Sequence, residues 1–306
     1  MLSEVWNYYI DYVAGLVGKS FSPATLQKYK TGFKIFKKYL QQSVGADDIR
    51  LDQLDYKFIK DYEYYLRADG SWQNNSVVQL IRRLRTMVRI ALDFGWVARD
   101  PFLPHRMKLE EVHRDYLTAE ELDRMAEKNF RIRRLNVVRD LFLFSCYTGL
   151  SYADTVKLAV DDVVTGEDGN QWVQTQRTKN NNRVRLPLLP PALKLVKHYH
   201  EEPRTPGGKL FPMISNQKAN TYLKEIASGL HIKKRLTYHC ARHTFATTVT
   251  LTNGVPIETV GQMLGHKSIK STQLYARVTD TKVRTDMKPL MRKYKGQELR
   301  LTKEFD

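Results

Sequence analysis

The sequence predicts a mainly α-helical protein of two domains, with a small antiparallel β-sheet inside the second domain. Apolar residues recur every three to four positions through most of the chain, which is the spacing of helices with one buried face. Between residues 163 and 188 the pattern changes to short apolar runs separated by turns rich in glycine and asparagine, which favours strands. A length of 306 residues is enough for about two domains with their own cores.

The first domain, residues 1–98, is predicted to be a bundle of helices. Ser22 and Pro23 predict the start of its second helix, because serine caps a helix and proline fits the first turn. A later helix begins near Asn74 and is expected to end before Gly95, a residue suited to the left-handed position after a helix.

Residues 99–116 are predicted to be a linker, since Pro101 and Pro104 interrupt helical order. The second domain then covers residues 117–306 and includes the C-terminal tail. It begins at Thr118, which forms a capping-box pattern with Glu121.

The charge of the chain predicts a polyanionic partner. The sequence holds 50 Lys and Arg against 33 Asp and Glu, for a formal net charge of +17, which is typical of proteins that bind nucleic acid. Basic residues cluster on two helices of the first domain and in the linker, where we expect contacts with DNA phosphates; the alternative is an ordinary solvated surface. They are Lys28, Lys34, Arg82, Arg83, Arg85, Arg89, Arg106 and Lys108.

Cysteine content and hydropathy indicate a cytoplasmic protein. Cys146 and Cys240 are the two cysteines, and both lie in apolar helical patterns that predict buried, reduced thiols. A run of about 18 apolar residues would be needed to cross a membrane, and the sequence has none. We also find no signal peptide.

Two segments carry the residues best suited to chemistry. His239 and Arg242 lie three positions apart, which places them on one face of a helix. His266 and Tyr275 follow in a second segment. A nucleophile, a guanidinium and two imidazoles can attack a phosphodiester without a metal. We considered zinc as an alternative, with His239, His243 and His266 as ligands, and expect no metal because no glutamate lies between the first two.

Several motifs in order resemble those of the tyrosine recombinases, or phage-type integrases. They are Thr148-Gly149-Leu150-Ser151, Thr178-Lys179, His239 with Arg242, Leu264-Gly265-His266, and Tyr275. The resemblance implies a two-domain clamp on duplex DNA, with a helical core-binding domain followed by a catalytic domain. It also implies that no cofactor is needed, that four identical protomers act on paired recombination sites, and that the protein is cytoplasmic and associated with the bacterial nucleoid.

The resemblance implies that Tyr275 attacks phosphorus and forms a 3′-phosphotyrosyl bond. Arg242 would then hold the non-bridging oxygens, and Lys179 would protonate the departing 5′-oxygen as general acid.

Three further residues have supporting roles on the same basis. His239 would accept the tyrosine proton or bind the phosphate, and His266 would be a second hydrogen-bond donor to it. Asp154 would orient a catalytic cation.

One position departs from the family pattern. The family motif usually ends in an arginine that holds the phosphate, and this chain has Ser151 there. Losing one such donor typically lowers the rate by about 10²–10³. Arg177 and Lys179 are two apart at the end of a predicted strand, so we expect them to share a face and Arg177 to supply the missing guanidinium.

The serine pattern resembles integrases of Bacteroides mobile elements, which predicts a recombinase of a mobile genetic element. Two other functions stay open at this point. One is a sequence-specific DNA-binding protein that has lost its chemistry, and the other is a type IB topoisomerase-like enzyme that relaxes DNA. The sequence specifies neither the target site nor the choice among integration, excision, inversion and dimer resolution.

Overall fold

In the computed structural model, the described residues are 1–68, 70–112, 114–179, 181–201, 207–275 and 280–295, and of residues 280–285 the backbone alone is described. The chain divides into two compact units, residues 1–112 and 113–306. This division falls inside the segment that we predicted as the linker. Among the described residues, no helix combines the length and the apolar character needed to span a lipid bilayer.

The first unit is helical, as predicted. Its helices are α1 (Leu2–Gly15), α2 (Pro23–Tyr39), α3 (Tyr56–Ala68) and α4 (Asn74–Asp93), with a π-helical turn at Leu40–Val44 and a 3₁₀ turn at Leu51–Gln53. Ser22 caps α2 by accepting a hydrogen bond from the backbone N–H of Thr25. The core is rich in aromatic residues: Trp6, Phe36 and Tyr62 are fully buried, and the Trp6 and Phe36 rings stack with centroids 5.4 Å apart.

The second unit carries most of the remaining elements. Its helices are α5 (Ala119–Glu127), α6 (Arg133–Thr148), α7 (Tyr152–Lys157), α8 (Pro190–Glu201), α9 (Asn216–Gly229), α10 (Tyr238–Thr244), α11 (Ile257–Met263), α12 (Lys270–Gln273) and α13 (Asp280–Lys293). Its strands are β1 (Val163–Thr165), β2 (Gln171–Gln176) and β3 (Arg183–Pro187). The described sheet is antiparallel in the order β1-β2-β3, which confirms the predicted small sheet inside a helical domain.

Helix α6 forms the centre of this unit. Most of its residues are buried, including Phe142 and Phe144, and it contacts α8, α9 and α10. One face of the sheet adds Val173 and Leu186, which pair across β2 and β3 and point into the same core. Helix α10 is thereby fixed between the core and the site described below.

Local sequence signals explain several element ends. Thr118 and Glu121 form the predicted capping box at the start of α5, with side-chain to backbone bonds of 3.3 and 2.8 Å. The segment from Tyr238 to Asn253 has one helical pattern, but the backbone changes to a π-helix at Phe245–Thr250 and a 3₁₀ turn at Leu251–Asn253. Cys146 and Cys240 are free and buried, as predicted, and burial raises the pKa of the Cys146 thiol.

Candidate active site

Arg242 is held at the centre of the site by neutral acceptors. It lies on α10 and is 4% exposed. Its Nη1 donates to the carbonyl of Gly149 at 2.7 Å, and its Nη2 donates to the carbonyl of Leu264 at 2.5 Å and to Nε2 of His266 at 2.8 Å. Burial, and then the charge of Arg177, lower its pKa to about 10. The guanidinium is therefore still a cation at neutral pH, and the acceptors that orient it do not neutralise it.

Gly149 provides the carbonyl that accepts the hydrogen bond from Nη1 of Arg242. Its φ is +70°, in the left-handed region that glycine favours. A Cβ atom at this position would lie 2.5 Å from Cδ1 of Phe245 and 2.8 Å from Cδ2 of Leu264. Both the left-handed backbone conformation and the close packing require glycine at position 149. They place its carbonyl oxygen toward Arg242.

Asp154 connects Ser151 to Arg177. Asp154 is fully buried, and its Oδ2 accepts a hydrogen bond from Oγ of Ser151 at 2.7 Å. Nε of Arg177 lies 2.8 Å from the same oxygen, and the backbone N–H of Thr178 donates to Oδ1 at 2.7 Å. Burial opposes ionisation of this carboxyl, but the hydrogen bonds from Thr178 and Ser151 and the charge of Arg177 lower its pKa.

Arg177 also reaches the acceptor that Arg242 uses. Its Nη1 donates to the carbonyl of Leu264 at 2.5 Å, so the two guanidinium groups meet at one oxygen. Strand β2 ends at Gln176, so the strand geometry on which we based a shared face for Arg177 and Lys179 stops one residue earlier. Arg177 turns inward, whereas Lys179 is exposed.

Gly265 makes room for this arginine. Its φ is +62°, and a Cβ atom would lie 3.0 Å from Cγ of Arg177 and 3.0 Å from Cγ2 of Val184. Asn182 links the segment of Arg177 to the segment of Gly265. Its side-chain Nδ2 donates to the Gly265 carbonyl at 3.0 Å, and its backbone carbonyl accepts from the N–H of Arg177 at 2.8 Å. The hairpin after β2 is thus hydrogen-bonded to the turn that carries His266.

Tyr275 is packed between two imidazole rings and is 8% exposed. The His266 ring is nearly parallel to it, with an interplanar angle of 6° and centroids 6.0 Å apart. The His243 ring meets it edge-on at 4.6 Å, and His239 contacts His243 at 4.8 Å. Three histidines and the tyrosine therefore form one cluster.

His243 is a residue of this cluster that our sequence-based list of candidate catalytic residues did not include. It is 8% exposed, and among the described residues no group hydrogen-bonds its Nε2. Its signal in the sequence was its spacing of four from His239, which we had weighed for zinc alone. His243 packs against Tyr275 because α10 lies beside the segment that follows α12. This contact between distant segments cannot be predicted from the spacing of residues in the sequence.

The two nitrogens of His266 have separate partners. Arginine has no acceptor, so Nε2 must accept the bond from Arg242, and Nδ1 then donates to Oγ1 of Thr272 at 2.9 Å. In this arrangement His266 is an acceptor toward Arg242, whereas we predicted it as a donor to phosphate. That predicted role requires the bond to Arg242 to be replaced.

The described residues contain no cluster of three or more histidine, cysteine or acidic side chains that could hold a metal ion.

All three histidines favour the neutral form. Burial and Arg242 lower the pKa of His266 to about 4, and burial and His239 lower that of His243 to about 3. His239 keeps part of its ring exposed, but the surrounding protein atoms and the charges of Arg114 and Arg242 lower its pKa to about 4. The charges of Arg177 and Lys179 lower it further.

The predicted DNA contacts in the first unit fall into two groups. Most of them are exposed, namely Lys28, Lys34, Arg82, Arg85, Arg89, Arg106 and Lys108. Arg83 differs from these residues: it is half-buried, and a Cβ atom on Gly32 of α2 would lie 3.0 Å from its Cδ. Arg83 is one position further around α4 than Arg82, so part of its side chain packs against α2. Burial lowers its pKa.

Comparison with known proteins relates both units to one family. Residues 115–282 match the phage integrase family, and residues 4–109 match the phage integrase SAM-like domain. The tyrosine recombinase XerD of Staphylococcus epidermidis is 27% identical over 302 residues, covering 92% of this chain and 97% of that protein.

Two solved structures share the fold. The Tn1549 transposon integrase in complex with a circular intermediate DNA has a TM-score of 0.73 at 14% identity, covering 94% of this chain and 99% of that one. A lambda integrase tetramer bound to a Holliday junction has a TM-score of 0.71 at 18% identity, covering 99% and 80%.

We predict that Gly149→Ala destabilises the protein more than Gly254→Ala. Both glycines have a positive φ, but a Cβ atom at Gly254 would meet open space. Gly254→Ala should therefore cost about 1–2 kcal/mol for the left-handed backbone alone. Gly149→Ala should add about 1–3 kcal/mol of overpacking against Phe245 and Leu264. Urea unfolding measures both, and equal losses would contradict the packing described here.

We also predict that the free energy of unfolding falls as the pH drops from about 6.5 toward 4. In this range unfolded histidines take up protons that the folded site excludes, because the folded pKa values are lowered. His243 should contribute a slope of about 1.4 kcal/mol per pH unit, and His243→Gln should remove that contribution. Urea unfolding at a series of pH values measures the slope. His200→Gln, at an exposed position on α8, is the control, and a slope that His243→Gln leaves unchanged would contradict the linkage.

Proposed function

Because the chain belongs to the phage integrase family, we propose that it is a site-specific tyrosine recombinase that cleaves and rejoins duplex DNA. One observation carries the proposal: Tyr275 lies in the same cluster as His243 and His266, beside two guanidinium groups that meet at the Leu264 carbonyl. Tyr275 Oη forms a bond to phosphorus, the bond to the 5′-oxygen breaks, and a 3′-phosphotyrosyl intermediate remains. Attack by a 5′-hydroxyl on this intermediate reverses the step and rejoins the strand.

Arg242 and Arg177 stabilise the negative charge that develops on the phosphate. A guanidinium matches two phosphate oxygens with a planar pair of donors. Support for Arg177 comes from its contact with Asp154, which fixes its direction, and from the carbonyl of Leu264, which it shares with Arg242. In this proposal Arg177 supplies the donor that Ser151 lacks, and Asp154 orients it without titrating.

Two proton transfers accompany the phosphoryl transfer. The phenolic proton of Tyr275 leaves to a base, for which we propose His239, which belongs to the same ring cluster through its contact with His243. Lys179 gives a proton to the departing 5′-oxygen. Its exposed position and its charge effect on His239 support a place at the DNA-facing side of the site. His266 provides a further contact to the phosphate once its bond to Arg242 is replaced.

The first unit is proposed to bind the DNA backbone through its exposed basic residues. Lys28 and Lys34 on α2, Arg82, Arg85 and Arg89 on α4, and Arg106 and Lys108 after it would neutralise phosphates and release counterions. Arg85 has a competing partner, since its Nη2 lies 3.7 Å from Oδ2 of Asp100. Arg83 is left out of this surface because its half-buried side chain packs against α2.

The biological setting is also a proposal. The Ser151 pattern, with Arg177 as its partner through Asp154, supports an integrase of a mobile genetic element, similar to those of Bacteroides elements. A homotetramer on paired recombination sites follows from the exchange of strands between two duplexes, and the lambda integrase tetramer on a Holliday junction supports it. A DNA substrate of this kind places the protein in the bacterial cytoplasm, at the nucleoid.

Ser151 favours one alternative, a DNA-binding protein without chemistry. We expect wild-type protein mixed with nicked duplex DNA to give an SDS-resistant adduct, and Tyr275→Phe to give none. Tight, salt-sensitive binding without any adduct would favour the alternative. A joint DNA product from two defined sites would separate a recombinase from a topoisomerase-like relaxing enzyme.

Arg177→Ala should lower the rate of adduct formation by about 10²–10³, because it removes one donor to the phosphate. Arg183→Ala, which removes an exposed arginine at the start of β3, is the matched control and should keep the wild-type rate. Single-turnover cleavage of a nicked substrate measures both. Full activity of Arg177→Ala would refute its proposed role.

Neighbouring arginines on α4 should respond differently to substitution. Arg82→Ala should weaken DNA binding and reduce the slope of log affinity against log salt by about one, for one lost phosphate contact. Arg83→Met should lower the melting temperature and keep the salt slope, because this side chain packs against α2. Binding titrations at several salt concentrations, with thermal unfolding, test the pair. An altered slope for Arg83→Met would contradict the assignment.

A further inference from the structure

Thr272 occupies a buried position between the nucleophile and the phosphate-binding arginine. It lies on α12, three residues before Tyr275, and is fully buried. Its backbone carbonyl accepts a hydrogen bond from the N–H of Tyr275 at 2.9 Å. Its hydroxyl lies 2.9 Å from Nδ1 of His266, whose Nε2 lies 2.8 Å from Nη2 of Arg242. Three consecutive hydrogen bonds thus run from Tyr275 to Arg242.

The chemistry of the donors fixes the direction of these bonds. An arginine side chain offers N–H donors and no acceptor, so Nε2 of His266 must present its lone pair to Arg242. A neutral imidazole carries its proton on the other nitrogen, which is Nδ1. The Nδ1–H group then donates to the hydroxyl oxygen of Thr272, which must be the acceptor.

We propose that Thr272 is a positioning residue that holds His266 in the Nδ1–H tautomer and couples the segment bearing Tyr275 to Arg242. The roles of Tyr275 and Arg242 in this inference rest on the proposed function. The hydroxyl acts on the imidazole and, through it, on the guanidinium, while the backbone carbonyl holds the N–H of Tyr275. One residue therefore aligns the attacking group with the group that receives the phosphate charge.

Losing the hydroxyl would change the proton position on His266. A valine has the shape of threonine without the acceptor, so the Nδ1–H group would lose its hydrogen-bond partner, which is unfavourable. Moving the proton to Nε2 relieves that cost but sets an N–H donor against the N–H donors of Arg242. In either case the imidazole no longer holds the guanidinium.

The packing around Thr272 offers little alternative space for this hydroxyl. Gly261 on α11 faces it, and a Cβ atom at Gly261 would lie 3.0 Å from Oγ1 of Thr272. Gly261 is itself buried, and its carbonyl accepts the N–H of His266 at 3.0 Å. A side chain at position 261 would therefore press on the hydroxyl while leaving its chemistry intact.

The test compares Thr272→Val, Thr272→Ser and a matched control, Thr250→Val. Thr250 is also buried, and its hydroxyl donates to the carbonyls of Phe245 and Ala246 instead of contacting an imidazole. Each protein, labelled with ¹⁵N in its histidines, is studied by NMR, with His266→Gln identifying the His266 signals. The same proteins are assayed for single-turnover adduct formation on nicked duplex DNA.

We expect wild-type protein, Thr272→Ser and Thr250→Val to show the Nδ1–H tautomer of His266, and Thr272→Val to lose it. Adduct formation at saturating DNA should fall about 10–100-fold in Thr272→Val, the usual cost of removing a group that orients a functional imidazole. DNA affinity should stay near the wild-type value, and Thr272→Ser should retain most of the rate. Recovery by serine separates the hydroxyl from the volume of the side chain.

Three results would overturn the inference. The first is the Nε2–H tautomer in wild-type protein, and the second is an unchanged tautomer in Thr272→Val. The third is an equal loss of rate in Thr272→Val and Thr250→Val. If Thr272→Val does not fold, Gly261→Ala replaces it and should shift the His266 signals by displacing the hydroxyl; unshifted signals would count against the inference. If wild-type protein forms no adduct, the proposed function fails, whereas the NMR readout still decides the hydrogen bond.

Discussion

The backbone carbonyl of Leu264 is the point on which the geometry of the site depends. It accepts hydrogen bonds at 2.5 Å from both Arg242 and Arg177, which come from α10 and from the end of β2. The same turn continues into Gly265 and His266, so one short segment fixes two cations and an imidazole. A shift of this carbonyl would move all three groups together. Helix α11, which ends at Met263, sets its position through the core formed by Val260, Phe245 and Leu264.

The hydrogen bonds of Arg242 go to neutral acceptors, which leave its positive charge in place. Carbonyls orient a guanidinium but leave its full charge, whereas a carboxylate would cancel it. Burial, and then the charge of Arg177, lower the pKa of Arg242, and Asp154 offsets part of this effect because it lies beside Arg177. An anion that enters between Arg177 and Arg242 removes their repulsion. The site is therefore better suited to a phosphate whose charge grows during reaction than to a neutral ligand.

Much of the fold was predictable because it depends on local patterns. Helical spacing, the caps at Ser22 and Thr118, and the change of period near residue 163 all act within a few residues. The candidate site was predictable where residue type alone limits the chemistry, as for Tyr275 and Arg242. Other features depend on contacts between distant segments. Arg83 is half-buried because α2 lies beside it, and His243 and Thr272 matter because of the rings that they touch. The direction of Arg177 followed from Asp154 and Gly265, not from the strand alternation that we used.

The shared oxygen of Asp154 limits how this site could change by mutation. Ser151 and Arg177 both contact Oδ2, at 2.7 and 2.8 Å. An arginine at position 151 would seek the same carboxylate and bring a third guanidinium against the two at the Leu264 carbonyl. We therefore expect the effects of substitutions at positions 151 and 177 to depend on each other. Exchanging serine and arginine between the two positions conserves the charge, whereas either substitution alone adds or removes one positive charge.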